Sequence, residues 1–440
     1  MSKPIVSIVK YEKPLESVRK VVEQSKLFDD IPTDAKIFIK PNIVYWNRKS
    51  NFPKWGVLTT SRVIEDAVVL LNERGIKDIT IGEGIVTEDP KDELTAADAF
   101  EKLGYDLLKE RYGVKVINTF RRPFEKIDMG LDFKVNFSSD AFAADYILDL
   151  PVLKTHAQAK ASIAFKNLKG LISIASRKKF HSPDPVHDLS YNVAHLPDKL
   201  PPVLTIIDGI YTLERGPAID GKAHRSNILV ASRDILSADL VGASLLGFVP
   251  SEIPHLAFAA KQRNRPGDLS DIELVGESIE SLASHHEWDF IYNDAGDLPL
   301  PFQKIGVQGL KYHKYDTSMC TYCSGLNGII LLAIKYSWKG KPYDKIEILT
   351  GKRMKPTEGN NKTILLGQCQ CNLNKNDPCI KELIPIQGCP PKREDVVNAL
   401  KQAGVKVQNA FFKGMDTGVG FLMGKYRGKP EFEESFYQIK

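Results

Sequence analysis

The first 319 of the 440 residues contain no cysteine; all six lie further on, at Cys320, Cys323, Cys369, Cys371, Cys379 and Cys389. A disulfide framework would be spread over the fold, so this confinement points instead to metal or redox chemistry in a reducing compartment. Charge of one sign is not in excess either. Sixty Lys+Arg face 55 Asp+Glu, a net charge of +5, which excludes a global basic field binding nucleic acid or membrane without specificity. Long apolar runs are missing. The longest clean one, GIILLAI at 328–334, falls far short of the roughly 20 residues a membrane helix needs. The N-terminus, MSKPIVSIVKYEK, has no apolar core of a secretory signal. The expectation is a cytoplasmic chain with no membrane partner. Phosphate-cradling fingerprints are absent as well: GEG (82–84) and RGPAIDG (215–221) are glycine-containing turns of another kind, so no nucleotide cofactor is expected.

What is present is ordinary globular composition, 42% hydrophobic and 26% charged. At roughly 150 residues per domain, the length predicts two or three cores. Short β-rich runs alternate with amphipathic stretches. Strands are expected over 35–40, 78–84, 114–120, 144–153, 202–210 and 226–232, several of them apolar on both faces as buried parallel strands are. Helices are expected over 61–75 and 96–113, each closed by a glycine. This succession predicts an α/β fold, a doubly wound and mostly parallel sheet over residues 1–300. A loop-like NDAGDLPLPFQ (293–303) then leads to a smaller α/β domain over 301–440, with helices at 323–338 and 392–404 and strands at 344–351, 361–367 and 381–386.

The smaller domain carries Cys320 and Cys323 as a C-x2-C pair near a helix start, Cys369 after one strand and Cys389 after another. A helix N-terminus lowers thiol pKa, and Gly388 lets the backbone approach a bulky ligand. Four thiolates converging at one sheet edge suit a [4Fe–4S] cluster or a tetrahedral zinc. The motifs CTYCSG, GQC and GCPP, in that order, resemble the proximal-cluster site of the nickel–iron hydrogenase small subunit, and GCPP also resembles the related cluster subunit of respiratory complex I. The resemblance covers about residues 315–405. It implies one [4Fe–4S] cluster on Cys320, Cys323, Cys369 and Cys389. Two departures stand out: no strand is evident before the first cysteine, and Cys371 and Cys379 are extra thiols, either of which could replace Cys369.

Residues 154–183 carry seven Lys/Arg, two His and no acid. Lys154 and His156 follow directly on a strand, as do Lys40 and Asn42, Glu83, and Asp208; strand carboxyl ends are where α/β sheets bind ligands. This pattern suits an anionic small molecule bound by Lys40, Asn42, Lys166, Asn167, Lys169 and Asp208, with Lys154 and His156 or His181 supplying catalytic and proton-transfer groups. Lys160, Arg177, Lys178 and Lys179 read more simply as a solvated face. Only Phe165 and Phe180 are available for base stacking, so no nucleic-acid partner is expected. KPNIV (40–44), LPVLKTH (150–156), FKNLKG (165–170), IDGI (207–210) and ILVASRDILSADLVG (228–242) resemble the domain of unknown function 362, whose members are often linked to iron–sulfur centres in anaerobes. Together these features predict an iron–sulfur oxidoreductase passing electrons from one [4Fe–4S] cluster to a small anion, with a ferredoxin or flavodoxin as electron donor. The alternatives are a non-enzymatic electron-transfer or cluster-carrying subunit and a zinc-stabilised binding protein.

Overall fold

The computed structural model describes residues 3–87, 92–407 and 419–439. The chain forms two compact units. One comprises Met1–Ser176, Ser190–Asp289 and Val419–Lys440; the other comprises Arg177–Leu189 and Phe290–Gly418. The division therefore departs from the linear boundary near residue 300. Residues 177–189 belong with the cysteine-bearing unit, and the chain returns to the first unit after it.

In the first unit the strands are β1 (Ile5–Lys10), β2 (Ile37–Pro41), β3 (Ile79–Glu83), β4 (Lys115–Asn118), β5 (Phe124–Ile127), β6 (Val135–Ser138), β7 (Tyr146–Leu150), β8 (Val152–His156), β9 (Lys160–Ser162), β10 (Val203–Glu214), β11 (Lys222–Ser232) and β12 (Glu273–Gly276). Among the described residues, ten of these build one sheet in the order β12-β1-β11-β10-β7-β2-β3-β4, with β8 pairing to β10 and β9. The run from β10 to β4 is parallel, and β11 lies antiparallel between β10 and β1. The sheet is thus mixed, with a parallel centre. β2 is buried along its whole length, which is why IFIKP reads as a continuous apolar run broken only by Lys40.

The helix Ser61–Glu73 starts at Thr60, whose hydroxyl accepts from the Val63 N–H, and its buried face includes Val63, Ile64, Ala67, Val68 and Leu71. The helix expected over 96–113 is two helices, Leu94–Lys102 and Tyr105–Tyr112. They part at Gly104, whose φ of 80° requires the left-handed region; a Cβ there would lie 2.8 Å from the Ile439 backbone nitrogen.

The second unit is a four-stranded parallel sheet of β13 (Leu310–Tyr312), β14 (Ile346–Leu349), β15 (Lys362–Leu366) and β16 (Glu382–Ile386), in sequential order. Alternation decides the faces. Ile346, Ile348, Ile364, Leu366, Ile384 and Ile386 pack on Leu326, Ile330 and Ile334 of the helix Thr321–Ser337 and on Val396, Val397 and Leu400 of the helix Arg393–Gln402. Leu349 and Leu365 face the other way and meet Cys371 of the helix Gly367–Asn374. Helices therefore cover both faces. The short strand Leu310–Tyr312 supplies the element before the first cysteine that was not evident in the sequence. No helix among the described residues is long and apolar enough to cross a membrane.

Candidate functional site

The second unit concentrates its functional groups at the carboxyl ends of its four parallel strands. Beyond β13 come Cys320 and Cys323, beyond β14 Lys352, beyond β15 Cys369 and beyond β16 Cys389. Cys320 is the N-cap of Thr321–Ser337, so its sulfur sits where the helix exposes unpaired N–H groups. The Cys323 thiol donates to it, and this bond, with the Cys323 and Tyr322 backbone N–H groups and the nearby Lys352, pulls the Cys320 thiol down to about 5. Cys323 is pushed in the opposite direction by the same hydrogen bond, by burial and by the charges of Cys320, Cys369 and Cys389. Burial raises Cys369, which also senses Cys320 and Cys389. The four sulfurs thus lie within one another's field.

Two glycines open the space between them. At Gly367 (φ +86°) a Cβ would come within 3.1 Å of Cys323 Sγ. Gly388 has φ +109° and its carbonyl accepts from the Gln368 N–H at 3.1 Å, tying the Cys389 turn to the Cys369 helix. Cations gather here. Lys178 Nζ lies 5.2 Å over the Tyr322 ring and 3.5 Å from the Cys389 carbonyl. Lys352 Nζ donates to the Lys178 carbonyl at 2.9 Å and to that of His181. Cys371 is separate: its thiol faces the sheet, 3.7 Å from the Leu365 carbonyl. Cys379 neighbours Asp377, Glu358 and Glu347. Among the described residues, no three His, Cys, Asp or Glu side chains are grouped as ligands of a metal ion. A cubane cluster needs a wider set: it places one iron at each thiolate and holds the four sulfurs further apart than one ion does. The donor set, its shared field and the Cβ-free floor at Gly367 fit a group of that kind.

In the first unit, Lys40 is fully buried and its Nζ donates to Glu83 Oε2 at 2.7 Å, to the Pro41 carbonyl at 2.5 Å and to Asn167 Oδ1 at 3.3 Å. Glu83 also accepts from the Ile43 and Gly84 N–H groups. Asn167 donates to Asp149 Oδ1 at 2.7 Å and to the Lys40 carbonyl at 3.3 Å. Asp149 is pushed well above the carboxylate range by burial, with Lys40 opposing. Lys40 is therefore a buried member of an internal network and not an outward-facing anion binder. Asp208 is likewise internal: it accepts from the Thr60 and Ile210 N–H groups at 2.7 and 3.1 Å. The Asn42 N–H donates to the Thr59 hydroxyl at 2.8 Å, and the Asn42 carbonyl accepts from the Thr59 N–H at 3.0 Å. Lys169 is buried in the 3-10 turn Leu168–Leu171.

Lys154, His156 and Lys166 come together. Lys154 stands on β8 between β10 and β9, and its Nζ donates to the carbonyls of Val57 (2.9 Å) and Pro217 (3.3 Å). Burial, then the charge of Lys166, bring it down to about 7. His156 Nδ1 accepts from the Gln158 N–H at 3.0 Å, and its Nε2 lies 2.9 Å from Lys166 Nζ. Lys166 rides on the short helix Ala164–Asn167, pinned by Asp239, whose two carboxyl oxygens accept from the Ala164 and Phe165 N–H groups at 2.7 and 3.1 Å. His255, which sequence inspection passes over, is buried within the field of Lys166, and burial takes it down to about 3, so it is neutral. Its isolated position in the sequence carries no pattern that would have found it. His181 belongs to the second unit, where its Nδ1 is 2.8 Å from the Thr317 carbonyl.

Residues 37–244 match the family model of the domain of unknown function DUF362. A thylakoid-associated protein of Synechocystis sp. is 25% identical over 224 residues, a stretch covering 50% of this chain and 66% of that relative. The lactate racemase apoprotein from Thermoanaerobacterium thermosaccharolyticum aligns over 57% of this chain and 58% of its own at 16% identity, with a TM-score of 0.35, too low to establish a common fold.

Proposed function

We propose that the chain is an iron–sulfur redox protein in which Cys320, Cys323, Cys369 and Cys389 hold one [4Fe–4S] cluster, and that it passes electrons to a small anionic substrate at the Lys166–His156–Lys154 group. The observation that carries this reading is the delivery of four thiols and two lysines to the carboxyl edge of one parallel sheet. A cluster at that edge supplies one-electron transfer. Lys178 and Lys352 offset the negative charge of four thiolates, and Gly367 leaves the floor open. In the other unit, His156 holds a proton at Nε2 and Lys166 brings an amine against it, while the buried Lys154 adds positive field. Lys40, Asn167 and Asp149 shape this region from within.

Anaerobic purification followed by iron, sulfide and zinc analysis and low-temperature paramagnetic resonance tests the reading. The expected result is about four irons and four sulfides per chain and a signal on reduction. One zinc per chain with no visible absorbance overturns it in favour of a zinc-stabilised binding protein. A second reading is favoured by the position of Arg177 and Lys178 in the cysteine unit: a cluster-carrying subunit that docks an acidic ferredoxin or flavodoxin through this basic edge. Partner binding that weakens steeply with salt supports it, and a small anion bound beside Lys166 counts against it.

A further inference from the structure

The turn RGPAIDG (215–221) follows directly on β10. β10 runs parallel to β8, with Leu213 opposite Lys154. Two residues further along each strand stand Arg215 and His156. The strand ends stay in contact beyond the Leu213–Lys154 pair. The Ala157 N–H donates to the Gly216 carbonyl at 3.2 Å, the Gly216 N–H to the Thr155 hydroxyl at 3.3 Å, and Lys154 Nζ to the Pro217 carbonyl at 3.3 Å. A Cβ on Gly216 would stand 2.6 Å from the Thr155 carbonyl oxygen, so glycine is what allows this approach. Arg215 is thereby delivered to the carboxyl end of the strand beside the one that carries Lys154 and His156. Carboxyl ends are where such sheets bind ligands.

The Arg215 side chain is half-buried and its Nε is closed to solvent, yet among the described residues the guanidinium makes no hydrogen bond and no ion pair. Two neighbouring carboxylates are engaged elsewhere. Glu214 binds Lys222 at 3.1 Å, lies 3.5 Å from His224 Nε2 and accepts from the Glu287 N–H at 3.4 Å. Glu287 lies 3.7 Å from His285 Nε2, and Arg215 meets only its carbonyl, through the Arg215 backbone N–H at 2.7 Å. A guanidinium cannot escape an unpaired position by losing its proton. The backbone adds a second oddity: Arg215 has φ +52°, in the left-handed region that glycine enters freely and other residues at a cost. The turn by itself would be better served by glycine, so the arginine answers to something other than the backbone. Nor does it cancel a local negative charge. Lys154 already lies in the positive field of Lys166 and Lys40, and Glu83 is bound to Lys40.

We propose that Arg215 is a substrate-binding residue whose guanidinium takes two oxygens of a carboxylate or phosphate group on the small substrate of the Lys154–His156–Lys166 group. The inference rests on the small-anion reading of that group and is independent of the cluster. A planar fork of N–H donors matches two oxygens of one group side by side, which a lysine ammonium does not. The field of Lys154 and Lys166 draws the anion in, and Arg215 orients it. The charged end of the substrate then meets the turn after β10, and the rest of the molecule lies toward His156.

Calorimetric titration of the full-length protein with glycolate, with inorganic phosphate and with the uncharged glycolamide tests the assignment. Wild type is expected to bind one of the two anions and to ignore glycolamide. The preferred anion tells a carboxylate from a phosphoryl group. Arg215→Gln is expected to raise its Kd at least tenfold, and Arg215→Lys to recover only part of the loss. Arg215→Gly, which the left-handed backbone accepts, is expected to lose binding with an unchanged or higher urea midpoint; it keeps the test decisive if Arg215→Gln fails to fold. Wild-type affinity in Arg215→Gln or Arg215→Gly overturns the proposal and leaves the small-anion reading standing. Wild-type affinity in Arg215→Lys overturns the paired-oxygen contact. Equal binding of glycolamide, or no binding of either anion by wild type, overturns the small-anion reading and this inference together.

Discussion

Lys40 and Glu83, forty-three residues apart, form a buried ion pair at 2.7 Å in which neither side chain has meaningful contact with solvent. A pair of this kind is costly to break from one side, because it leaves a charge buried and uncompensated. Lys40→Met is expected to lower stability by about 3–5 kcal/mol, measured as a shift in the urea midpoint, while the double variant Lys40→Met with Glu83→Gln recovers much of that loss. A single variant no worse than the double one would show that the pair does not carry stability.

Gly170 makes room for the same pair. A Cβ at that position would overlap Lys40 Cε and stand 2.5 Å from its Nζ and 2.7 Å from Glu83 Oε1. Gly170→Ala is expected to cost about 1–3 kcal/mol by overpacking, without altering the iron content of the cysteine unit. An unchanged urea midpoint would refute the steric account.

The thiols divide by position. Cys320→Ser, Cys323→Ser, Cys369→Ser and Cys389→Ser are each expected to lose most of the bound iron, whereas Cys371→Ser and Cys379→Ser retain it. Cys371 faces the sheet and Cys379 lies among carboxylates. Iron and sulfide per chain decide the matter; full retention in Cys369→Ser would transfer its place to one of the spare thiols.

Lys178 and Lys352 bear on the same site through charge. The Cys389 carbonyl accepts from Lys178, and Lys352 lies within the field of Cys320 and Cys369. Removing a nearby positive charge disfavours the more negative, reduced state. Lys178→Met is therefore expected to lower the midpoint potential by tens of millivolts, the order given by one charge at intermediate dielectric. Redox titration followed by absorbance or paramagnetic resonance reads it, and an upward shift would overturn the assignment.

Two buried groups set opposite pH trends. Burial raises Asp239 from 3.8 to about 7, so between those values the folded state holds a proton that the unfolded chain has released, and stability falls as pH rises. Lys154 is lowered from 10.5 to about 7, so between about 7 and 10.5 the unfolded chain holds the extra proton and stability rises with pH. Asp239→Asn is expected to flatten the first slope and Lys154→Met the second, in urea titrations at stepped pH. Slopes unchanged by these substitutions would show that other groups set them.

Much of this architecture could be read along the chain. Apolar runs bounded by turns located the central strands, because a strand buried on both faces needs continuous apolar residues. The Gly-terminated pattern located Ser61–Glu73, and the spacing of CTYCSG, GQC and GCPP singled out Cys320, Cys323, Cys369 and Cys389. Local pattern was less informative about Leu310–Tyr312, a strand too short for a periodic signal, and about the division at Gly104, where contact with Ile439 and a positive φ break the helix.

The sequence by itself determined the α/β alternation, the concentration of thiols at one end and the basic stretch 154–183, since each is a property of neighbouring residues. Only the tertiary structure decided how that stretch is divided. It parts the stretch at Ser176, leaving Lys154, His156 and Lys166 in one unit and placing Lys178 and His181 with the cysteines. It turns Lys40 inward to Glu83 and Asn167, which are 43 and 127 residues away, and Cys371 inward to the sheet while Cys369, two residues earlier, stays with the other thiols. The reason is physical: which face a helix buries and which charge meets which are settled by packing between segments distant in the chain, and no local spacing encodes that.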